Sequence, residues 1–348
     1  MPAGVMRNPI ALLAGGIGLG LMGRALWRRL KAIDLRGRVV VITGSSRGLG
    51  FALAQEFARK GASLVICARS QSDLETARRA LAEQGAQVLA IPCDLRDREQ
   101  ARRLIEQATA HFGRVDVLVN NAGTILTGPI LSQTMQDFEE TMGILFWGTV
   151  YTTMAVLPQM RQRKSGRIVN ITSIGGKVSV PHLLSYCSAK FAAVGFSEGL
   201  HAELAQDGIS VTTVAPGLMR TGSHVNAIFK GRHREEYTWF SLGASLPVTA
   251  MSAGRAARQI VRAAQRGDTE IILGLEAQLL ARLAGLFPGT TVRAFGLVNR
   301  LLPKAGGIGQ ERRLGRESET RVTQSFLTAL GHRAAQRYQR HLETIAKS

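Results

Sequence analysis

The chain has 348 residues, with 44 lysines and arginines against 25 aspartates and glutamates, so its formal net charge is +19. This length exceeds that of a single α/β domain of about 250 residues, and the surplus lies at both ends. Nucleic acid is disfavoured as a partner, because the basic residues are dispersed, aromatic residues make up only 5% of the chain and no nucleic-acid motif occurs. An anionic cofactor and an anionic membrane surface account for the charge better.

Cysteine and histidine positions indicate no metal site. Cys67, Cys93 and Cys187 are widely spaced and form no Cys-x-x-Cys pair. Neither a disulfide framework nor a zinc site is therefore predicted. The seven histidines are scattered as well.

Residues 1–33 precede the first predicted strand. The run Pro9–Gly23 carries no charge, and a basic cluster begins at Arg24. Its 15 residues are fewer than the ~20 that span a bilayer, and basic residues occupy the place of a signal-peptide cleavage site. We predict a short anchor that holds the protein on the cytoplasmic face of a membrane. The alternative is a glycine-rich helix that packs against the fold.

Seven strand-like apolar runs alternate with helical stretches in the middle of the chain. They are Val39–Thr43, Ser63–Cys67, Gln87–Pro92, Val115–Val119, Arg167–Ile171, Ser210–Val214 and Thr269–Leu273. This alternation predicts an α/β fold, a doubly wound parallel sheet of the Rossmann type with helices on both faces. We assign it to residues 34–275, which leaves residues 276–348 as a helical, basic C-terminal extension.

A glycine-rich turn, Gly44-Ser-Ser-Arg47-Gly48-Leu-Gly50, follows the first strand and opens an amphipathic helix. Glycines let backbone amides approach a pyrophosphate closely, and the N-terminus of the helix adds partial positive charge. The spacing Gly-x-x-x-Gly-x-Gly differs from the Gly-x-Gly-x-x-Gly of the common dinucleotide fingerprint. The turn nevertheless predicts a phosphate-binding loop.

The end of the second strand indicates which dinucleotide binds. A carboxylate there binds the ribose 2′-hydroxyl of NAD, but this chain has Ala68 followed by Arg69, with Arg47 in the glycine-rich turn. Two guanidinium groups suit a 2′-phosphate. We therefore predict NADP(H), with the alternative that Arg69 simply points to solvent.

Ser173, Tyr186 and Lys190 carry the predicted chemistry. Tyr186 and Lys190 are four residues apart on a predicted helix and share one face. A nearby ammonium favours the phenolate and lowers the pKa of a phenol from about 10, which makes Tyr186 a usable general acid or base. Ser173 ends a strand and can hydrogen-bond the substrate oxygen. His182, between them, either lines the substrate pocket or is a partly exposed loop residue.

The segment between Thr221 and Pro247 is predicted to form a lid over an apolar substrate. Its aromatic residues are Phe229, Tyr237, Trp239 and Phe240.

The C-terminal extension begins with two apolar stretches, Leu275–Pro288 and Thr290–Pro303. They form either a lipid-facing surface or pocket roof, or part of the packed core. The polar and basic stretch Thr320–Ser348 is predicted to be a surface or partner-binding helix.

The glycine-rich turn together with Ser173, Tyr186 and Lys190 resembles the short-chain dehydrogenase/reductase family over about residues 34–275. The resemblance implies that Asp94-Leu95 contacts adenine, that the segment from Asn120 to Gly123 shapes the cofactor cleft, and that Pro216-Gly217 and Thr221 flank the nicotinamide. The implied cofactor-binding residues are Gly44, Ser46, Arg47, Gly48, Leu49, Gly50, Arg69, Asp94, Leu95, Asn121, Ala122, Gly123, Tyr186, Lys190, Pro216, Gly217 and Thr221.

The resemblance also implies catalytic roles: Ser173 polarises the substrate oxygen, Tyr186 exchanges the proton, and Lys190 lowers the pKa of the phenol and holds the nicotinamide ribose. The hydride passes directly to or from nicotinamide C4. The chain departs from the family pattern at Leu145, where the family often has an asparagine that organises a water relay to the lysine. Leucine lacks the side-chain amide, although its backbone carbonyl can still hold a water.

The sequence thus predicts an NADP(H)-dependent oxidoreductase, expected to be a homo-oligomer, that interconverts a secondary alcohol and a ketone on a hydrophobic substrate such as a lipid, sterol or long-chain ketone. One alternative is a non-catalytic NADP-binding sensor or scaffold at a membrane surface, which would bind cofactor without turnover. Another is a structural protein of the membrane surface, which would bind phospholipid without cofactor. The intact Ser173, Tyr186 and Lys190 favour the enzyme.

Overall fold

A computed structural model describes residues 32–246, 250–325 and 328–339 of the chain. The strands of these residues are β1 (Val39–Thr43), β2 (Ser63–Ala68), β3 (Val88–Pro92), β4 (Val117–Asn120), β5 (Leu126–Thr127), β6 (Gly166–Ile171), β7 (Ile209–Pro216), β8 (Leu218–Arg220), β9 (Ile228–Phe229), β10 (Ala250–Ser252), β11 (Glu270–Leu273) and β12 (Arg313–Leu314). The α-helices are α1 (Gly48–Arg59), α2 (Gln71–Ala82), α3 (Arg98–Phe112), α4 (Met135–Met142), α5 (Gly148–Gln162), α6 (Leu184–Leu204), α7 (Ser223–Asn226), α8 (His233–Ser245), α9 (Ala253–Arg266), α10 (Leu275–Leu286), α11 (Pro288–Asn299) and α12 (Ala329–Gln339).

Seven parallel strands form the central sheet in the order β11-β7-β6-β4-β1-β2-β3. The chain winds outward from β1 in one direction and from β4 in the other, so the strand order reverses between these two strands. The crevice at their carboxyl ends is where open α/β sheets bind ligands. The predicted doubly wound fold is confirmed, and each predicted strand is present with its ends shifted by at most two residues.

Helices cover both faces of the sheet because its strands are apolar on both sides. Val40 and Ile42 of β1 face a core that includes Phe57 and Ile260, from α1 and α9. Alternate residues of β1 face the opposite core, to which α3 and α5 contribute. The two cores hold the strand ends, and with them the loops of the candidate site, in fixed positions.

The predicted N-terminal anchor, Pro9–Gly23, lies outside the described residues. The first described residues already contact the fold. The Ile33 backbone amide donates to the Gln265 carbonyl at 2.9 Å, and Leu35 is buried in the core. Among the described residues, no helix combines the length and the apolarity needed to cross a membrane.

The two apolar stretches of the C-terminal extension form the hairpin α10–α11. Of the alternatives left open by the sequence, core packing is wrong, because α10 buries only Ala277 and α11 buries no residue. The predicted helix from Thr320 is also corrected: turns and a bend occupy residues 321–325, and the helix begins at Ala329. It is more than a surface helix, because Tyr338 is buried in the core that contains α1. The last part of the predicted range, residues 340–348, lies outside the described residues.

A buried ionic cluster ties the extension to the rest of the fold. The carboxylate of Asp137, on α4, is fully buried; it accepts from Lys230 Nζ at 2.5 Å and from Arg312 Nη2 at 2.7 Å. Arg312 also pairs with Glu140 at 2.7 Å. The cluster joins α4, the residue after β9 and the extension.

We predict that Asp137→Asn lowers the free energy of unfolding by about 3–5 kcal/mol, because it leaves the buried Lys230 ammonium without its counter-charge. Urea unfolding followed by circular dichroism measures the loss. Glu140→Gln is the matched control, since it removes the partly exposed partner of the same arginine and should cost less than about 1 kcal/mol. Equal losses for the two variants would contradict the assignment of Asp137 as the centre of the cluster.

Candidate active site

The glycine-rich turn brings backbone atoms together more closely than side chains would allow. Gly44 has φ +62°, and a Cβ there would lie 2.7 Å from Cα of Ala122. A Cβ on Gly50 would lie 2.2 Å from the Gly44 carbonyl oxygen. Ser46 and Leu49 of the same turn are buried. The turn presents the N-terminus of α1 to the crevice between β1 and β4, as phosphate binding requires.

Thr43 joins the turn to the segment after β4. Its hydroxyl oxygen accepts from the backbone amides of Asn121 at 2.8 Å and Ala122 at 3.0 Å. The Asn121 side-chain amide donates back to the carbonyls of Thr43, at 2.9 Å, and Gly44, at 3.0 Å. The loops on either side of the strand switch are therefore one rigid unit. Sequence reasoning named Asn121 and missed Thr43, whose position before the glycine was the available signal.

Arg69, at the end of β2, and Arg316 both lie close enough to Arg47 of the glycine-rich turn to act on its pKa. Burial lowers the pKa of Arg47, the Asp73 carboxylate opposes this shift, and the positive charges of Arg69 and Arg316 add to it. Arg69 is exposed next to Ala68 and lies close enough to Asp94 to help lower the pKa of that carboxyl. Arg316 comes from the C-terminal extension, and no local sequence signal indicates that it reaches this place.

Asp94 and Leu95 lie beyond the end of β3. The hydrogen bonds from the Arg96 side chain lower the pKa of Asp94, and the closest joins Arg96 Nη2 to Asp94 Oδ2 at 2.5 Å. Leu95 is buried and packs against the start of α5, where a Cβ on Gly148 would lie 3.1 Å from Leu95 Cβ. The adenine contact implied by the family stays a prediction.

The residues expected to flank the nicotinamide lie opposite the glycine-rich turn. Pro216 ends β7, and the Gly217 backbone amide donates to the Leu273 carbonyl at 2.8 Å. Thr221 is buried, and its Cβ lies 4.0 Å from the place where Gly48 would carry one. The two halves of the predicted cofactor site are thus neighbours.

The structure brings Ser173, Tyr186 and Lys190 together. Ser173 lies two residues beyond the end of β6. Its Oγ accepts from the Gly175 amide at 3.0 Å, and it lies close enough to Tyr186 to act on the pKa of the phenol. Tyr186 and Lys190 lie one turn apart on α6, with Lys190 Nζ 5.9 Å from the centroid of the phenol ring. Lys190 Nζ donates to the Ile171 carbonyl at 2.8 Å.

Burial dominates the protonation of both catalytic groups. It raises the pKa of Tyr186 to about 12, although the hydrogen bond with Ser173 acts in the opposite direction. It lowers the pKa of Lys190 to about 7. The net lowering of the phenol pKa expected from the sequence is therefore wrong for the chain alone. Loss of water around the phenol outweighs any effect of the Lys190 ammonium, whose Nζ lies 5.9 Å from the centre of the ring. The phenol is protonated at neutral pH.

A buried chain of polar side chains lies beneath the catalytic groups. The Asn120 amide nitrogen donates to Asn170 Oδ1 at 2.9 Å, and the Asn170 amide nitrogen donates to Ser197 Oγ at 3.0 Å. Thr152 donates to Asn120 Oδ1 at 2.6 Å, and Thr213 donates to Ser197 Oγ at 2.7 Å. This series of hydrogen bonds crosses β4, β6 and β7 and binds α5 and α6 to them. It fixes α6, and with it Tyr186 and Lys190, relative to the sheet.

Leu145, at the position of the family asparagine, lies in a π-helical turn between α4 and α5. Its side chain is buried, and its Cδ2 lies 2.9 Å from where Gly123 would carry a Cβ. Its carbonyl accepts from the Thr149 hydroxyl at 3.2 Å. The carbonyl keeps a second lone pair, so a water held there stays a prediction.

His182 is buried, so the alternative of a partly exposed loop residue is wrong. Its backbone φ is +65°, and its Nδ1 lies 2.7 Å from Oε1 of the fully buried Glu236. Trp239 donates its indole N–H to Glu236 Oε2 at 2.8 Å. His182 lines a groove of about 630 Å³ that is bounded by loops beside the catalytic residues and by α11. Sequence reasoning missed Glu236 because its partner is 54 residues away.

The predicted lid is a packed helix. Phe229, Tyr237 and Phe240 are buried in a small core with Leu183, and only Trp239 of the four aromatic residues is partly exposed. Tyr186 packs against this core. The aromatic residues therefore exclude water from one side of Tyr186 and do not close over a cavity.

The chain belongs to the short chain dehydrogenase family, whose model matches residues 38–229. It is 39% identical over 202 residues to a dehydrogenase/reductase SDR family protein 7-like of Anopheles gambiae, covering 57% of this chain and 64% of that protein. It is 36% identical over 199 residues to a fatty acyl-CoA reductase of Acinetobacter baylyi, covering 56% of this chain and 68% of that protein. The alignments thus span about two thirds of these relatives.

Among solved structures, the fold is similar to that of L-sorbose reductase from Gluconobacter frateurii complexed with NADPH and L-sorbose. The TM-score is 0.63 at 27% identity, and the match covers 70% of this chain and 97% of that chain. Family and fold together make this chain an oxidoreductase of the short-chain type.

We predict that Lys190→Met stabilises the cofactor-free protein in a pH-dependent way. The pKa of Lys190 is lowered from 10.5 to about 7, so the unfolded chain binds more protons than the native one between these values, and native stability rises with pH across that window. The cost of the buried ammonium is greatest below pH ~7. The variant should therefore raise the melting temperature most at low pH, with the gain vanishing near the upper limit of the window.

Differential scanning calorimetry across this pH range measures the effect. Lys60→Met, at an exposed lysine, is the control and should show no such trend. A destabilised variant at low pH, or a gain that is the same at every pH, would show that burial does not govern Lys190.

Proposed function

We propose that the protein is an NADP(H)-dependent oxidoreductase that interconverts a secondary alcohol and a ketone on a hydrophobic substrate. The observation that carries the proposal is the convergence of Ser173, Tyr186 and Lys190 at the end of β6 and on α6, beside the glycine-rich turn. The nicotinamide, when bound, supplies or accepts the hydride.

In ketone reduction the chain holds and protonates the substrate oxygen. Ser173 lies close enough to the Tyr186 hydroxyl to lower the pKa of the phenol, so a substrate oxygen bound beside the two hydroxyls can accept from both. The raised pKa of Tyr186 keeps the phenol protonated at neutral pH, which is the form that donates a proton. Lys190, held by the Ile171 carbonyl, places its ammonium where it stabilises the phenolate left by that donation.

The preference for NADP(H) is supported by charge at the end of β2. The charges of Arg69 and Arg316 both act on Arg47, and Ala68 stands where a carboxylate would select NAD. The guanidinium groups suit a 2′-phosphate. The similar L-sorbose reductase is itself a complex with NADPH.

A hydrophobic substrate is supported by the apolar core against Tyr186, and one relative is a fatty acyl-CoA reductase. The anchor at Pro9–Gly23, the cytoplasmic face of a membrane and a homo-oligomer remain part of the proposal. Leu145 favours one alternative, a non-catalytic NADP-binding sensor, because it removes the side-chain amide of the water relay.

Tyr186→Phe should reduce turnover by at least two orders of magnitude, the usual contribution of a positioned acid or base, because it removes the donated proton. NADPH binding should change little. NADPH oxidation in the presence of a panel of long-chain ketones and sterols measures turnover, and isothermal titration calorimetry measures binding.

Tyr151→Phe, at a tyrosine stacked on Trp147 of the preceding turn, is the control and should retain turnover. Full activity of Tyr186→Phe would exclude the proposed acid. Tight NADPH binding by the unmodified protein without turnover on any carbonyl compound would favour the sensor.

The double change Ala68→Asp with Arg69→Leu should weaken NADPH binding at least tenfold relative to NADH, since a charge-assisted hydrogen bond contributes about 1.5–3 kcal/mol. Titration of both cofactors measures the preference.

Arg316→Gln should weaken NADPH binding and leave NADH binding unchanged in the same titrations. Arg313→Gln is the control, because Arg313 is exposed and pairs with Glu311. Equal affinity of the unmodified protein for the two cofactors would contradict the assignment.

A further inference from the structure

The hairpin α10–α11 presents an apolar stripe to solvent. Leu275, Leu279, Leu283 and Leu286 follow one another at helical spacing and share one face of α10. All four are exposed, Leu275 at 82% and Leu286 at 72%. Soluble monomers rarely expose a contiguous apolar patch of this kind unless it contacts something.

The apolar surface continues from the hairpin to the loop that precedes Tyr186. Phe287 and Val292 are exposed on the hairpin, and Ile130 and Leu131 are exposed on the facing loop. The groove lined by His182 lies between this loop and α11. We call the hairpin together with Ile130 and Leu131 the apolar platform; the groove opens within it.

The charge of the platform indicates which kind of partner could bind to it. Residues 275–305 contain four basic residues, Arg282, Arg293, Arg300 and Lys304, and a single acidic one, Glu276. Glu276 is exposed, but its Oε1 lies beside the backbone of Gly217, 2.9 Å from where that glycine would carry a Cβ. Within the part of the chain that the structure describes, none of the four basic residues pairs with a carboxylate.

A second copy of this chain would place equal positive charges face to face, which opposes docking. An anionic phospholipid surface offers acyl chains to the leucines and phosphates to the arginines and the lysine. Each helix of the hairpin has 12 residues. At 1.5 Å per residue this is about 18 Å, shorter than the ~30 Å hydrocarbon core, so the hairpin can lie in the interface but cannot cross it.

We propose that the apolar platform docks onto an anionic phospholipid bilayer, with α10–α11 lying in the head-group interface and the groove opening toward the lipid. The docked enzyme then takes its substrate from the bilayer, an aspect that rests on the proposed function. This contact is distinct from the predicted anchor. The chain leaves the predicted anchor at Ile33, which is hydrogen-bonded to Gln265 before the start of β11. The hairpin begins with α10, after the other end of that strand.

Vesicle binding by the full chain tests the platform without any need for turnover. The variant Leu279→Ser with Leu286→Ser should bind vesicles of phosphatidylglycerol and phosphatidylcholine at least tenfold more weakly than the unmodified protein. Contacts within one chain reinforce each other, so the loss should be measurable even if Pro9–Gly23 also inserts. Met154→Ser with Val322→Ser removes two exposed apolar residues elsewhere and should bind as the unmodified protein does.

A local probe separates the platform from every other contact. The three native cysteines are buried, so a fluorophore can be attached selectively to Leu286→Cys or, as a control, to Met154→Cys. Lipids with brominated acyl chains should quench the label at position 286 and leave the label at position 154 unchanged.

Weakened binding of the serine variant together with quenching at position 286 supports the proposal. Unchanged binding, or absence of quenching at position 286, overturns it and leaves Pro9–Gly23 as the candidate membrane contact. A serine variant that instead lowers the mass of the protein in analytical ultracentrifugation without lipid, with no quenching, overturns it in favour of a second copy. Normal docking with no turnover would refute the proposed function alone.

Discussion

The candidate site depends on the burial of one ionisable side chain, that of Lys190. Its Nζ donates to the Ile171 carbonyl at the end of β6, and its burial lowers its pKa to about 7. A protonated amine in such surroundings is costly unless something compensates it. The protein keeps it in place through the polar chain from Asn120 to Ser197, which binds α6 to three strands of the sheet. The same burial makes the Tyr186 phenol a weak acid that stays protonated. Loss of water therefore sets the pKa of both groups, and a charge brought next to either group would shift that pKa further.

The C-terminal extension is a second constraint on the site. The ionic cluster around Asp137 holds Arg312 against α4, and β12 pairs with β9 two residues before Arg316. Arg316 is thereby delivered to the arginines at the end of β2. A segment outside the region matched by the family model therefore contributes charge beside Arg47, in the predicted cofactor site. The hairpin α10–α11, between β11 and this cluster, is left uncovered by the rest of the described chain.

Hydrophobic surroundings of two kinds meet at the groove. On one side, the buried aromatic residues of α8 pack against Tyr186, and the buried pair His182–Glu236 lies nearby. On the other side, α11 and the loop at Ile130 and Leu131 carry apolar residues into solvent. The hydrophobic substrate proposed above would meet apolar side chains both at the exposed surface and in the groove.

The fold could be predicted from the sequence itself, and so could the residues proposed to carry the chemistry, because both follow from short-range patterns. Alternating apolar runs specify parallel strands, Gly44 to Gly50 specifies a turn that side chains would block, and the spacing of Tyr186 and Lys190 puts them on one helical face. Only the tertiary structure decided the pKa values, the exposure of the hairpin and the contacts between residues that are distant in the sequence. Sequence reasoning had Lys190 lowering the pKa of Tyr186, but burial from several elements raises it. It left α10–α11 open between core and surface, and only the neighbours of the hairpin determine its exposure. Glu236 beside His182 and Arg316 beside Arg47 are joined by packing across many residues, and no local pattern encodes such contacts.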